Sequence, residues 1–334
     1  MKRKDGSSRN TRPEAIWKEM DQVDGCDVEA MVVILRSSGC RWYREEKGGC
    51  LMCGYHSASE VDIDIDDLRE QISFSLGRYD GETMVKIYTS GSFLDSREIP
   101  IELRKEVFDA FSDSDRILVE SRPEFVSVEN LEGIDEERVQ VAIGLETSSD
   151  EVRETSVNKG FSFSDYVRAA VLLNEMEIPL RTYILLKPPF LTEREAMEDA
   201  IVSVKDSIPF SESVSINPVN VQRDTLVENL WRRGDYRPPW WWTLIEILKR
   251  CVEADGPRIM SAPSGAGTPR GIHNCGECDD KFIEAVRRFS FEQEPGVFDG
   301  LRCDCRLEWE ALMGVQDTVR TSVDISRYLG SNDN

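Results

Sequence analysis

Histidine is nearly absent from this chain: in 334 residues only His56 and His273 occur. That scarcity disfavours a hydrolase built on a histidine acid or base, the usual proton carrier near neutral pH. Long apolar runs are missing as well. No stretch approaches the roughly 20 residues needed to span a bilayer, and the opening MKRKDGSSRNTRPE lacks the apolar core of a signal peptide. These absences lead us to expect a cytoplasmic protein with no membrane attachment. Positive charge is also scarce, with 41 Lys and Arg against 63 Asp and Glu, a net charge of −22 and a pI of about 4.6. General, unassisted binding to nucleic acid is therefore opposed, because neutralising phosphates requires Lys and Arg. Most of the acidic excess reads as a solvated surface suited to a salty cytoplasm. The local exceptions are Lys2, Arg3, Lys4, Arg9 and Arg12 near the start, and LWRRGDYRPPWWW from Leu230 to Trp242. No long low-complexity tract or strong short-period repeat is present.

Cysteine, by contrast, is plentiful. In a reducing compartment nine cysteines are more readily metal ligands than disulfides. Seven fall into two groups, leaving Cys26 and Cys251 as structural residues. The first group is Cys40, Cys50 and Cys53 in CRWYREEKGGCLMC, a C-x9-C-x2-C pattern. A four-iron cluster normally takes one thiolate per iron, so three cysteines without a fourth leave one iron open. The amino and carboxylate groups of S-adenosylmethionine would fill that vacancy. Gly48 and Gly49 let such a loop fold tightly and Gly54 permits close approach from behind. A zinc knuckle, or unrelated buried thiols, is the alternative reading of the same pattern.

Short β-branched runs alternate with amphipathic stretches six times, the pattern of βα repetition and a parallel sheet. The spacing predicts strands at MVVILR from Met31, VKIYT from Val85, RILVES from Arg116, VQVAIGLE from Val139, LRTYILLK from Leu180 and SVSINPVNV from Ser213. DLREQISFSLGRY and SFSDYVRAAVLLNEM carry helical periodicity. Polar, glycine or proline residues follow every strand: the cysteine loop, TSGSFLD, ESRPEF, GLETSS, KPPF and NPVNVQ. Parallel α/β barrels carry their sites at the carboxyl ends of the strands, so these loops are expected to converge on one face.

The segments CRWYREEKGGCLMCGY, YTSGSFLD, ESRPEFV, IGLETSSDEVR, SVNKGFSF, NPVNVQRDTLVENLW, YRPPWWW and HNCGECD span about residues 30 to 305. On these segments the chain resembles the radical SAM superfamily and its elongator-type branch, and more narrowly the radical SAM subunit family of archaeal archaeosine synthases (RaSEA). The resemblance implies an α/β fold, a partial (β/α)6 TIM-type barrel with a small metal-stapled C-terminal region. The expected organisation is a basic tail over 1–27, a core barrel over 28–222 and a helical region with a four-cysteine metal site over 223–334.

By the same resemblance Cys40, Cys50 and Cys53 hold a 4Fe-4S cluster, with Met52 and Tyr55 shielding it and the adenine. Ser90, Gly91 and Ser92 match the element that contacts the methionine amino group, although two adjacent glycines are usual there and this chain reads SGS. Glu120 and Arg122 form a charged pair at the mouth, Glu146 meets ribose or ammonium, and Lys159 meets the methionine carboxylate. For each of these charges a structural ion pair at the rim is the alternative. The implied activity is cleavage of the lysine C–N bond of a lysine-modified deazaguanine in the tRNA D-loop, by a 5′-deoxyadenosyl radical, leaving archaeosine. The implied partners are that tRNA, a tRNA-binding lysine-transferring subunit and an electron donor. Asn217, Asn220 and Gln222 are substrate candidates that would serve equally as helix caps. An elongator-like or methylthiotransferase-like reaction on tRNA, or a non-catalytic zinc-binding interaction subunit, are the other readings. The lack of an acetyl-transfer domain after the barrel disfavours full elongator activity.

The second group, Cys275, Cys278, Cys303 and Cys305, pairs CxxC with CxC. Four thiolates suit a closed structural zinc site or an auxiliary iron–sulfur cluster, with His273 beside the ligands. Between them DDKFIEAVRRFS reads as an amphipathic helix stapled by the metal. Trp240, Trp241 and Trp242 open a helix after Pro238 and Pro239 and are expected to anchor a core, leaving Arg232, Arg233 and Arg237 as candidate phosphate contacts.

Overall fold

A computed structural model describes residues 7–59, 62–132 and 134–316. Lys2, Arg3 and Lys4 of the expected basic tail lie outside the described residues. All six expected strands form, and they sit consecutively within one eight-stranded sheet whose order follows the chain. The strands are β1 Ala15–Val23, β2 Cys26–Ile34, β3 Met84–Tyr88, β4 Arg116–Ser121, β5 Val139–Glu146, β6 Leu180–Leu186, β7 Ser213–Pro218 and β8 Arg258–Met260. From β2 to β8 every neighbour is parallel, while β1 pairs antiparallel with β2 in the register Ala15↔Ile34 to Val23↔Cys26.

Two strands, β1 and β8, lie outside the six that were expected. β1 lies in the stretch expected as a tail and β8 in the region expected to be helical, so the sheet runs past both proposed boundaries. The reason is chemical. β1 reads AIWKEMDQV and carries Lys18, Glu19 and Asp21, so its pattern is polar, and β8 is only three residues long. Alternation along the strands explains why charge is tolerated there. One face of the sheet, including Met31, Val33, Ile87, Val119, Ile143 and Ile184, packs into the main core. On the concave face Ala30, Met84, Leu118 and Ala142 form a small apolar layer. Beside that layer lies a charged floor centred on Asp21, fully buried, which meets Lys86, Arg181 and Arg258.

The longer helices are α1 Ile65–Leu76, α2 Ile101–Ala110, α3 Phe163–Glu175, α4 Glu193–Ser207, α5 Leu226–Arg233, α6 Trp241–Cys251, α7 Asp279–Glu292 and α8 Cys305–Gln316. Capping boxes start three of them, at Asp64/Asp67, Ser162/Asp165 and Thr192/Glu195. Each box satisfies two amide groups that the first turn leaves unpaired. No described helix is long and apolar enough to cross a membrane. Because β1 and β8 are the two edges of the sheet, the barrel is open along one side. Side chains bridge the gap: Arg258 pairs with Asp21 at 2.6 Å and Gln22 Nε2 donates to the Phe291 carbonyl at 3.1 Å.

Candidate functional site

The loop between β2 and α1 carries Cys40, Cys50 and Cys53, and it is clasped from three sides. The turn after β5 ends in a π-helical stretch, Arg153–Val157, and then Asn158 in the left-handed conformation; such stretches recur at functional sites. Asn158 Nδ2 donates to the carbonyls of Lys47 at 3.0 Å and Gly49 at 2.8 Å, while Trp42 Nε1 donates back to the Asn158 carbonyl at 2.8 Å. Leu51 N–H donates to the Val157 carbonyl at 3.0 Å. Gly160, at φ +74°, lies under the Trp42 ring, where a Cβ would stand 2.5 Å from a ring carbon. On the other side Gly91 allows the backbone after β3 to approach, since a Cβ there would stand 2.7 Å from Cys40 Cα. The buried Glu98 accepts from Ser37 Oγ and Ser92 N–H and ties these two loops together.

The two cysteine groups differ in spacing. Cys275, Cys278, Cys303 and Cys305 have their thiols mutually within 4.8 Å, with edges of 3.6, 3.7 and 3.8 Å. Four thiolates at 2.3 Å from one tetrahedral ion stand roughly 3.8 Å apart, so this set fits a single ion. Among the described residues no other three or more His, Cys, Asp or Glu side chains close up in this way. Cys40, Cys50 and Cys53, all on the loop after β2, do not close up in this way. Burial pushes the Cys50 thiol up to about 12 and raises that of Cys53 as well. The Cys50 and Cys53 thiols thus hold their protons, which metal binding displaces.

Around Cys40, Cys50 and Cys53 stand the residues singled out by sequence. Lys159 Nζ meets Glu146 Oε1 at 2.6 Å, both largely buried. Burial works against the charge on Lys159, but the Glu146 carboxylate outweighs it and the ammonium is held above its ordinary range. Gly144 leaves room for the pair, for a Cβ there would stand 2.6 Å from Glu146 Oε1 and 2.9 Å from Lys159 Nζ. Glu146 sits at a register shift between β5 and β6 with φ +67°, and Lys187 at the end of β6 has φ +64°. Strained non-glycine residues of this kind cost about 1–3 kcal/mol each and gather at ligand sites.

Glu120 and Arg122 are not paired with one another. Arg122 bonds Glu124 and lies over Trp42 and Phe161, 5.7 and 5.3 Å from their ring centroids. Burial pushes the Glu120 carboxyl up to about 7 against the hydrogen bond from Tyr183. Ser90 Oγ donates to the Tyr55 carbonyl at 3.2 Å, and Met52 packs with Val157, Leu185 and Val221. Tyr55 is half exposed above the loop.

The substrate candidates divide. Asn217 accepts from Ser215 Oγ at 2.9 Å at the end of β7, and Asn220 abuts Gly265. Gln222 is committed to the cluster loop: its Oε1 accepts from Gly54 N–H, and its side chain is hydrogen-bonded to Tyr55. Arg232 is exposed and paired with Glu228, and Arg233 is exposed. Arg237 is not available for phosphate, because its guanidinium stacks on Trp240 and donates to the carbonyls of Pro238, His273 and Asn274.

Those bonds belong to the four-cysteine site, to which Trp241 and Trp242 also donate. Trp241 Nε1 donates to Asp279 at 2.8 Å, and Asp279 also accepts from the Asn274 and Gly276 amides. Trp242 Nε1 donates to Cys305 Sγ at 3.4 Å and Asn274 Nδ2 to Cys278 Sγ at 3.5 Å. Such N–H donors stabilise bound thiolates. His273 stays outside the ligand set, its Nδ1 2.8 Å from the Gly271 carbonyl. Cys251 is buried, whereas Cys26 is exposed at the hairpin.

A scan against protein-family models finds no match. The chain is 40% identical to the archaeosine synthase subunit beta of Methanosarcina acetivorans, over 93% of this chain and 92% of that protein. It is 37% identical to the archaeosine synthase subunit beta of Thermococcus kodakarensis, over 89% of this chain and 95% of that one. Among solved structures, Elp3 of Methanocaldococcus infernus with an N-terminal deletion aligns with 66% of this chain and 55% of its own at 17% identity and a TM-score of 0.46. At these identities and over nearly the whole length, the chain belongs to the archaeosine synthase subunit beta family.

Proposed function

We propose that this protein is the radical-generating subunit of an archaeosine synthase, cleaving the lysine C–N bond of a lysine-modified deazaguanine in the tRNA D-loop. The observation that carries this reading is the Cys40, Cys50 and Cys53 loop, clasped at the mouth of an α/β half-barrel in a chain of this family. When bound, a reduced 4Fe-4S cluster and S-adenosylmethionine supply a 5′-deoxyadenosyl radical that removes hydrogen from carbon. An unactivated aliphatic C–N bond gives acid–base chemistry no handle, and the two histidines of the chain face backbone carbonyls, His56 that of Cys53 and His273 that of Gly271.

The chain's own residues bind and seal. Lys159, kept cationic by Glu146, is the carboxylate-binding group of the mouth. Gly91 brings backbone close to the cluster loop, and Trp42 and Phe161 with Arg122 between them keep water from its flank. Gln222 and Asn158 fix the loop so that the thiolates meet the cluster already oriented. The spacing of Cys275, Cys278, Cys303 and Cys305 supports structural zinc over a second cluster. The net charge of −22 opposes unaided tRNA binding. The relatives are named as one subunit of a synthase, which supports a partner chain that binds the tRNA and transfers lysine.

The test is anaerobic reconstitution with iron and sulfide, reduction with dithionite, and chromatographic assay of 5′-deoxyadenosine with lysine-modified and unmodified tRNA. Deoxyadenosine that depends on the modified tRNA is the expected result. Deoxyadenosine indifferent to tRNA would overturn the substrate, and failure to form a cluster would overturn the activity.

A further inference from the structure

Glu146 occupies a backbone region that residues with side chains rarely enter, and what keeps it there comes from a neighbouring helix. Thr147 N–H donates to the Leu145 carbonyl at 2.9 Å around Glu146 at φ +67°, which closes a three-residue γ-turn of the rare, strained kind. Such a conformation persists only where its surroundings over-determine it. The residue they grip is Thr147, which is fully buried. Its carbonyl accepts from Arg153 Nη2, while Arg153 Nε donates to the Leu145 carbonyl at 3.4 Å. Its hydroxyl accepts from the Ser149 amide at 3.0 Å and donates to Asp199 Oδ1 at 2.7 Å. Asp199 and Ser203 stand about one turn apart on the same face of α4. Ser203 Oγ accepts from the Ser148 amide at 2.9 Å, so two side chains of α4 hold the loop after β5.

Asp199 is a costly residue to bury. Its Oδ2 is buried with no hydrogen-bond partner, and burial pushes its carboxyl up to about 6 against the Thr147 hydroxyl and the Arg153 charge. An unpaired buried acceptor lowers stability, and what Asp199 offers in exchange is the acceptor that fixes Thr147. The other half of the ion pair has a different anchor. Lys159 lies between Asn158 and Gly160, and Asn158 Nδ2 holds the carbonyls of Lys47 and Gly49 in the cluster loop. Lys159 Nζ then meets Glu146 Oε1 at 2.6 Å. The Glu146–Lys159 pair therefore joins a backbone fixed by α4 to a backbone fixed on the cluster loop.

We propose that Asp199, acting through the Thr147 hydroxyl, is a positioning residue for cofactor binding: it sets Glu146 in its turn, and Glu146 sets Lys159 for the carboxylate of S-adenosylmethionine. The inference rests on the carboxylate-binding role proposed above for Lys159. The test is equilibrium dialysis of S-adenosylmethionine against the anaerobically reconstituted protein, with iron per chain measured for every variant. Thr147→Val removes the hydroxyl and keeps the shape, Thr147→Ser keeps the hydroxyl, and Asp199→Ala removes its acceptor. Each is also made together with Lys159→Met. We expect Thr147→Val and Asp199→Ala to bind at least fivefold more weakly with iron unchanged, and Thr147→Ser to bind like the wild type. Beside Lys159→Met the same two substitutions should weaken binding no further, because effects that act through one group do not add. Wild-type affinity in both, a serine variant as weak as the valine one, losses that add to that of Lys159→Met, or iron that falls in step with affinity would overturn the inference. The two readings fail separately. Affinity lost in Lys159→Met but kept in Thr147→Val and Asp199→Ala sinks the positioning role alone, whereas wild-type affinity in Lys159→Met sinks the carboxylate assignment beneath it.

Discussion

Asp21 is the residue whose loss the fold should tolerate least. It comes from the edge strand β1, is fully buried, and accepts from Arg181 at 2.8 Å, Arg258 at 2.6 Å and Lys86 at 2.5 Å. Burial alone would raise its carboxyl, but the three cations outweigh that and hold it far below the usual carboxylate range. Asp21→Asn keeps the shape and removes the charge, leaving three buried cations to face Glu19. Breaking a buried pair by deleting one partner costs about 3–5 kcal/mol. In a chain of this size that corresponds to a fall of about 6–10 °C in melting temperature, at ~2 °C per kcal/mol. The assay is anaerobic thermal and denaturant unfolding of the wild type and variant across pH. Because the folded-state carboxyl is depressed, its stabilisation is complete above about pH 4–5 and drains away as pH falls below that. The wild type should therefore lose its advantage over Asp21→Asn in acid. A variant within about 1 kcal/mol of wild type at neutral pH, or a gap that widens in acid, would refute the role given to this floor.

Gly160→Ala drives a Cβ into the Trp42 ring at a positive φ, so it should lower reconstituted iron per chain and cost about 1–3 kcal/mol. Unchanged iron and stability would show that the clasp does not hold the loop. Lys159→Met strips Glu146 of its partner; S-adenosylmethionine binding by equilibrium dialysis should weaken at least tenfold with iron content intact, and unaltered affinity would reassign Lys159 to structure. Cys303→Ser should remove one equivalent of zinc by elemental analysis and lower the melting temperature while the cluster absorbance persists. Loss of iron with retained zinc would exchange the two metal assignments.

The parts of this molecule legible in its sequence are those whose local pattern and tertiary role agree. The strands β2 to β7 are β-branched because one face meets helices and the other a crowded interior. The tryptophans after Pro239 could be assigned to a core because indoles of that size need burial, and each of the three is at least nine-tenths buried. What escaped was decided by partners distant in the chain. β1 reads as polar because its charges answer Arg181 and Arg258, 160 and 237 residues away. Arg237, an exposed phosphate ligand by composition, is consumed by carbonyls that the cysteine loop presents. Gln222 looked like a substrate contact at a strand end, and yet its acceptor oxygen is 168 residues from the amide it serves. Only the Asn158–Lys159–Gly160 turn left a local sign of the clasp: an asparagine and a glycine at positive φ flank the lysine, so the backbone grips the loop while Lys159 turns to Glu146. The same long-range logic gives β1 its place in the fold. A sheet that ended at β2 would lack Asp21, and with it the buried carboxylate that gathers Lys86, Arg181 and Arg258 across the open side of the barrel.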